Sequence, residues 1–458
     1  MIHTRLPRAL GIVGLVTATT LAGCTWRRVG QEEGPSPDTS VPQLFDAISV
    51  YRNMGLFARG AGLPFVATVR FLAGPTPDST LAVFGISMAN NALSFGHTTR
   101  GFHAEYQVNV DFDQNGQTVG RIRALDTVWV ATFKETLQSV QSIVAQNAVL
   151  VPPGKTNVRV TVRDASAATI SGADERTIDV PRFGPHTISS LVAVYDDSAR
   201  TALDSAPRFA INPRAMVPYA ADTLRFYLEG YGLARGTTAS VEALSQSGTT
   251  VWRGSVPFVP SGALATASIA IPPDSLPIGE LRVVAAVNGV PDTVSIPALV
   301  SFSGQWVTAN LDEVLSMLRY FGYTNQIDSI KNATGAKRIE LWRKFWRETD
   351  PVIVTPQNEA LDEYFARLEI ANQRYQEGDL AGWLTDRGRV FITLGEPSDV
   401  YDASSIVQGG VRLIRWSYTP YRITLDFVDR SGFGNFRLTP ASQAAYAQVL
   451  DRLRRTEG

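Results

Sequence analysis

The chain has 458 residues, 42 basic against 43 acidic, a formal net charge of −1 and one cysteine, Cys24. This near-balance offers no basic field for gripping nucleic acid, and a lone cysteine excludes an intramolecular disulfide or a cysteine-based metal site. The length exceeds what one hydrophobic core usually organises, so several domains are expected.

The first residues read "MIHTRLPRALGIVGLVTATTLAGC". Arg5 and Arg8 form a short positive start, and Ala9 to Ala22 are apolar or small and uncharged. That run is too short to span a bilayer as a helix, which needs about 20 apolar residues. A charged start, a short apolar core and a small-residue end describe an export signal over 1–23. Leu21-Ala22-Gly23-Cys24 resembles the bacterial lipobox. The resemblance implies cleavage before Cys24 and its lipidation, hence a membrane anchor. By the same resemblance the body is placed in the cell envelope, with Thr25 after the cysteine favouring the outer membrane. Cleavage would remove Arg5 and Arg8 and no acid. The polar, Pro-, Gly- and Ser-containing residues 24–41 then read as a flexible spacer.

From about 42 to 302 the texture favours strands. "YQVNVDF" places Tyr106, Val108, Val110 and Phe112 on one face, and "NVRVTVRD" does the same for Val158, Val160 and Val162. Such period-two alternation marks half-buried antiparallel strands. "TVWVATF" alternates likewise, while "VQSIVAQNAVL" fits either a strand or a short helix. "VPPGKTNVRVTVRD" and "LPIGELRVVAAVNG" echo each other, at a spacing typical of sandwich domains. Two β-sandwiches are therefore expected, over 42–182 and 183–302. "DFDQNG" opens like a calcium loop, but position twelve is Ile122 where an EF-hand needs Glu. Asn115-Gly116 is better read as a type I′ hairpin turn. "GKT" at Gly154 lacks the earlier glycine of a P-loop, and "GYGLARG" lacks dinucleotide-binding spacing. His97 and His103 have no third ligand beside them, so neither metal nor cofactor is expected.

Helical spacing begins near 305. "NLDEVLSMLRYF" and "AKRIELWRKFWRETD" carry apolar stripes, the second with Leu341, Trp342, Phe345 and Trp346. Asp350-Pro351 should end it. In "TPQNEALDEYFARLEIANQRYQEG", Thr355 suits an N-cap, Pro356 the first helical position and Gly378 the C′ position. Leu361, Tyr364, Phe365, Leu368 and Tyr375 form its stripe. Val390 to Leu394 reads as a strand between Gly388 and Gly395. "VRLIRWSY" and "YRITLDFVDR" read as two more, "GNFRLT" as a possible fourth, and Pro440 starts a last helix. The fold class expected is thus two antiparallel β-sandwiches followed by an α+β domain over 303–458.

"GWLTDRGRVFITLGEPSDVY", with "FWRETDPVIVTPQNEALDEYFARLEIANQRY" before it and "WSY…FVDRSGFGNFRL" after it, resembles the GWxTD domain family of exported bacterial proteins, which are often lipoproteins. The resemblance covers roughly 310–440. It carries over to Gly382, Trp383, Thr385, Asp386, Arg387, Gly388, Gly395, Glu396 and Pro397, and implies no established activity. No histidine follows His186, which excludes a His-based triad or zinc site within this domain. Carboxylate chemistry remains, with Asp386, Glu396, Asp399 and Asp402 as candidates. On a straight strand Asp386 and Glu396 stand about 17–27 Å apart, beyond the roughly 5–9.5 Å of a catalytic pair. Trp383, Trp416, Tyr418 and Tyr421 could form an aromatic platform for sugar or peptide, but core packing is the better reading for at least the two tryptophans. The expected function is non-enzymatic: a lipid-anchored envelope protein that binds a protein or glycan partner. The alternative is a carboxylate-dependent hydrolase of envelope polymers.

Overall fold

The computed structural model describes residues 27–28 and 44–456, apart from 138–141, 168, 220–221, 302–305, 308–309, 352–357 and 403–410. The signal-like segment, Cys24 and the proposed caps Thr355 and Pro356 lie outside the described residues. Two compact units are present: residues 42–366, and residues 367–458 with the N-terminal segment to Val41.

The larger unit begins with helix α1 (Ala47–Asn53), capped by the Asp46 carboxylate on the Ser49 N–H. Strands β1 (Phe57–Arg59), β2 (Phe65–Ala73), β3 (Thr80–Ala89) and β6 (Ser142–Val151) make one sheet in the order β1-β2-β3-β6. A second sheet holds β4 (Gly101–Gln114), β5 (Gln117–Val130), β7 (Gly154–Asp164) and β8 (Ser171–Val180), in the order β8-β7-β4-β5. The alternating side chains fill the space between the sheets: Tyr106, Val108, Val110, Phe112, Val158, Val160 and Val162 share one buried core with Phe65, Phe84 and Ile86. Of the two readings left open for "VQSIVAQNAVL", the strand holds, as β6. At the β4–β5 connection Asn115 and Gly116 have φ of 50° and 79°, which is the turn and not a calcium loop. Asp113 there accepts the Thr118 hydroxyl at 2.7 Å.

The same strand order recurs in β9 (Val192–Asp196), β10 (Leu224–Tyr231), β11 (Thr238–Ser245), β12 (Thr250–Pro257), β13 (Leu264–Ile271), β14 (Gly279–Val287) and β15 (Val294–Ser301). One sheet runs β9-β10-β13 and the other β15-β14-β11-β12, each extended by short edge strands. Each strand of the second sandwich has its counterpart in the first, β7 and β14 being the strands of the sequence echo. Three-strand and four-strand sheets with these connections form an immunoglobulin-like sandwich.

The two sandwiches meet face to face. Leu72, Leu81 and Val83 pack on Val192, Val194, Ile211 and Tyr227. Beside this contact lies a polar cluster that no local pattern announces. Arg200 and Glu229 are both fully buried and pair at 2.7 Å. Tyr227 and Tyr231 donate hydroxyls to Glu229 at 2.8 and 2.7 Å. Arg200 donates to the Ala73 carbonyl at 2.6 Å, and Ala73 N–H donates to Tyr231 at 2.8 Å. A charge out of water is tolerated only when paired and saturated, and here the saturating groups come from both sandwiches.

Helices α3 (Leu311–Met317), α4 (Thr324–Asn332), α5 (Gly335–Thr349) and α6 (Glu359–Arg374) follow. Trp342 and Phe345 are buried on α5, and Leu361, Phe365 and Leu368 on α6, as their spacing predicts. The α6 cap is Asn358, whose side chain accepts the Leu361 N–H at 3.0 Å. This helix ends at Arg374, and Gly378 stands further on at φ 58°, in the turn that bridges Glu377 and Leu380. The division between the two units falls within α6, at 366/367.

The smaller unit contains the end of α6, helix α7 (Asp386–Leu394), a sheet of β16 (Asp399–Asp402), β17 (Arg412–Tyr418), β18 (Ile423–Asp429) and β19 (Arg437–Leu438), and helix α8 (Pro440–Thr456). Arg27–Arg28, expected to be spacer, pairs antiparallel with Tyr401 and Asp402 at the sheet edge. The strand expected at 390–394 is corrected to α7. "VFITL" has the β-branched and aromatic content of a strand, but Thr385 caps a helix there. Val390, Phe391 and Leu394 then become one buried face, and tertiary packing outweighs the small intrinsic penalty of β-branched residues.

Candidate functional site

The family-like residues form a helix reversal. After α6 the chain turns through Gly382–Leu384 and enters α7. Thr385 is the hinge pin: its hydroxyl donates to the Gly382 carbonyl at 2.8 Å and accepts the Gly388 N–H at 3.0 Å. Asn372 on α6 accepts the Gly382 N–H at 3.1 Å. Gly382 and Gly388 are needed for close approach, because a methyl group at Gly388 would collide with the Gly382 carbonyl, and one at Gly382 with backbone carbonyls of α6. Gly388, expected to bound a strand, thus lies inside a helix. Gly395 does take the turn role, with φ 78° at the α7 C-cap, and its carbonyl accepts the Tyr418 hydroxyl at 3.1 Å.

The charged residues of the motif are each engaged. Asp386, in the first turn of α7 where the helix dipole favours a negative charge, accepts the Leu438 N–H at 2.9 Å and meets Arg389 at 3.2 Å. Arg387 lies 4.3 Å from the ring centre of Phe436 and 5.4 Å from that of Tyr375. Its guanidinium is 3.4 Å from Glu377, a carboxylate that reaches Arg437 at 2.9 Å and has no exposed side-chain surface. Burial pushes the Glu377 carboxyl above its ordinary value, against the pull of Arg387 and Arg437. Glu396 is bound by Arg374 at 3.0 Å. Pro397 follows it, and Ser398 N–H donates to the Ser417 carbonyl to open β16.

The sequence singled out neither Glu377 nor Asn372. The signal that could have found Glu377 is its position eight residues before the motif's threonine, just past the end of α6 and two residues after Tyr375. Asp429 was also passed over. It is buried and holds the following loop, accepting N–H groups of Ser431, Gly432 and Gly434 at 2.9, 3.0 and 2.7 Å and the Ser431 hydroxyl at 2.6 Å. Burial works to raise its pKa, but the Ser431 hydroxyl and the three backbone donors outweigh it and hold the carboxyl below its ordinary value.

Core packing holds for the two tryptophans, as favoured from sequence, and the platform reading is corrected for Tyr418 as well. Trp383, Trp416 and Tyr418 are buried, with Trp416 5.3 Å from Tyr375 and 4.8 Å from Phe427. The separation of about 17–27 Å between Asp386 and Glu396 falls with the strand it assumed: as helix α7, Asp386 to Leu394 spans about 12 Å. His97 and His103 are spent on aromatic neighbours, Phe102 at 4.9 Å and Trp129 at 5.0 Å. Among the described residues no three His, Cys, Asp or Glu side chains are grouped to hold a metal ion, and no helix is long and apolar enough to cross a membrane.

A comparison with curated proteins finds no match to the chain. The family model described as the GWxTD domain matches residues 300–431. With the Gly-Trp-x-Thr-Asp run built into the α6–α7 reversal, this chain carries a GWxTD domain.

Proposed function

We propose that this is a lipid-anchored protein of the bacterial cell envelope whose GWxTD module and β-sandwiches act as a binding or scaffolding body without catalysis, its partner a protein or glycan of the envelope. The observation that carries the non-enzymatic reading is the state of Asp386: one oxygen takes a backbone N–H from Leu438 and the other an arginine from its own helix. A carboxylate so employed holds β19 to α7. The hydrolase alternative needs a free carboxylate with a second one nearby, and Glu396 is tied to Arg374. The anchor rests on Leu21-Ala22-Gly23-Cys24.

Two experiments test the reading. Labelled fatty acid should enter the protein in bacteria and be lost with Cys24→Ala; equal labelling of the variant sinks the anchor. Cross-linking in cells should recover an envelope partner, and turnover of an envelope polymer that Asp386→Asn abolishes without unfolding would replace binding by catalysis.

A further inference from the structure

Ten large apolar side chains are exposed among the described residues, and six lie in one stretch: Leu125 and Trp129 on β5, Phe133 and Leu137 in and just after α2 (Phe133–Thr136), and Val144 and Leu150 on β6. Of these, Trp129 and Val144 line one groove, and exposed apolar groups brought together in this way mark an interaction surface. Its centre is a sheet edge. Among the described residues β5 pairs only with β4. A groove lined by Asp126, Trp129, Ile143 and Val144 runs between β5 and β6.

The direction of the backbone groups at this edge follows from register. Ala165 N–H donates to the Glu105 carbonyl, so the odd-numbered residues of β4 bond toward β7 and the even-numbered ones toward β5. Tyr106 lies opposite Asp126. Even-numbered residues of β5 are therefore used by β4, and Arg121, Arg123, Leu125, Thr127 and Trp129 turn their N–H and C=O groups to the open side, where the Thr127 N–H meets only the carboxylate of its neighbour Asp126 at 3.1 Å. Proteins blunt such edges with charges or bulges. The first half of β5 has both, with Arg121 and Arg123 paired to Asp111 and a register shift at Phe112. From Leu125 to Val130 the only charge is Asp126, whose neighbour is Tyr106 of the sandwich itself.

We infer that this edge is completed by β5 of a second copy of the chain, antiparallel about a two-fold axis through Leu125. The side-chain pattern selects that register. It sets Leu125 against Leu125, Arg123 against Thr127, and Arg121 against Trp129, where a guanidinium can lie over the indole. An axis at Arg123 or Asp126 opposes like charges, and one at Ala124 sets Leu125 against Arg123. An axis at Thr127 shortens the overlap from Gly120–Val130 to Ala124–Val130. The pairing is isologous, so it closes at a dimer.

The test uses the full chain. Opposed Cα atoms in such a pair stand about 5.5 Å apart, within disulfide reach. Leu125→Cys should therefore oxidise to a covalent dimer, with the parent chain as the control for Cys24. Arg123→Cys alone should stay monomeric, and Arg123→Cys with Thr127→Cys should cross-link. Thr127→Pro removes an N–H of the open side, held within one copy only by the adjacent Asp126 carboxylate at 3.1 Å, and none used by β4, so it should abolish a doubled sedimentation mass while lowering the unfolding midpoint by no more than the loss of one exposed hydrogen bond. A monomeric parent with no Leu125→Cys adduct overturns the proposal. So does a dimer indifferent to Thr127→Pro, or an adduct of Leu125→Cys with a different protein.

Discussion

At the scale of single residues, the GWxTD motif is a set of close fits. Gly388 is the sharpest. Alanine is favoured over glycine by about 1 kcal/mol inside an unencumbered helix, yet here its methyl group meets a carbonyl oxygen. Gly388→Ala should destabilise the protein by about 1–3 kcal/mol, the usual cost of forced overpacking, measured by urea unfolding; a stabilised variant would deny the close approach. Asp429 makes a pH prediction. Its folded pKa is held below the ordinary carboxylate value, so its contribution is present above that ordinary value and fades as pH falls through the lower folded one. Asp429→Asn should flatten the loss of stability below pH 4 and leave the slope near neutrality unchanged, read from unfolding midpoints across pH.

At the scale of elements, the α6–α7 reversal turns on Thr385, which is buried and bonded at both ends of the turn. Thr385→Ala should cost about 1–2 kcal/mol, the upper range for a lost N-cap, and Thr385→Ser should restore most of it. Equal losses for both would assign the effect to packing of the methyl group. The β-elements were the most legible part of the chain, because Val158, Val160 and Val162 alternate strictly and all three are buried. The helix at 386–394 was not. Its beginning is written in Thr385 and Asp386, but "VFITL" carries strand-forming residues, and only the core beneath Val390, Phe391 and Leu394 decides for the helix.

At the scale of the 42–366 unit, the two sandwiches are joined by more than a linker. Arg200 and Glu229 belong to the second, and the carbonyl and N–H of Ala73 belong to the first. Glu229→Gln leaves the Arg200 cation buried with its counter-charge gone. A loss of about 3–5 kcal/mol is expected, with both sandwiches loosening together in hydrogen exchange. Loosening of the second alone would show that the cluster serves only its own domain.

Composition, alternation and helical spacing were enough to name two β-sandwiches and the amphipathic helices, because each rests on near neighbours in the chain, and burial of one face leaves its period in the residues; the GWxTD module was legible through the resemblance of its motif to a known family. The Arg200–Glu229 pair, the enclosure of Glu377 by Arg387 and Arg437, the turn of 386–394 into a helix and the open edge of β5 leave no such period. They depend on groups far apart in sequence that meet only once the sheets are stacked, where removal from water makes every unpaired charge costly. That cost, imposed by the folded surroundings, is what assigns each of these residues its partner.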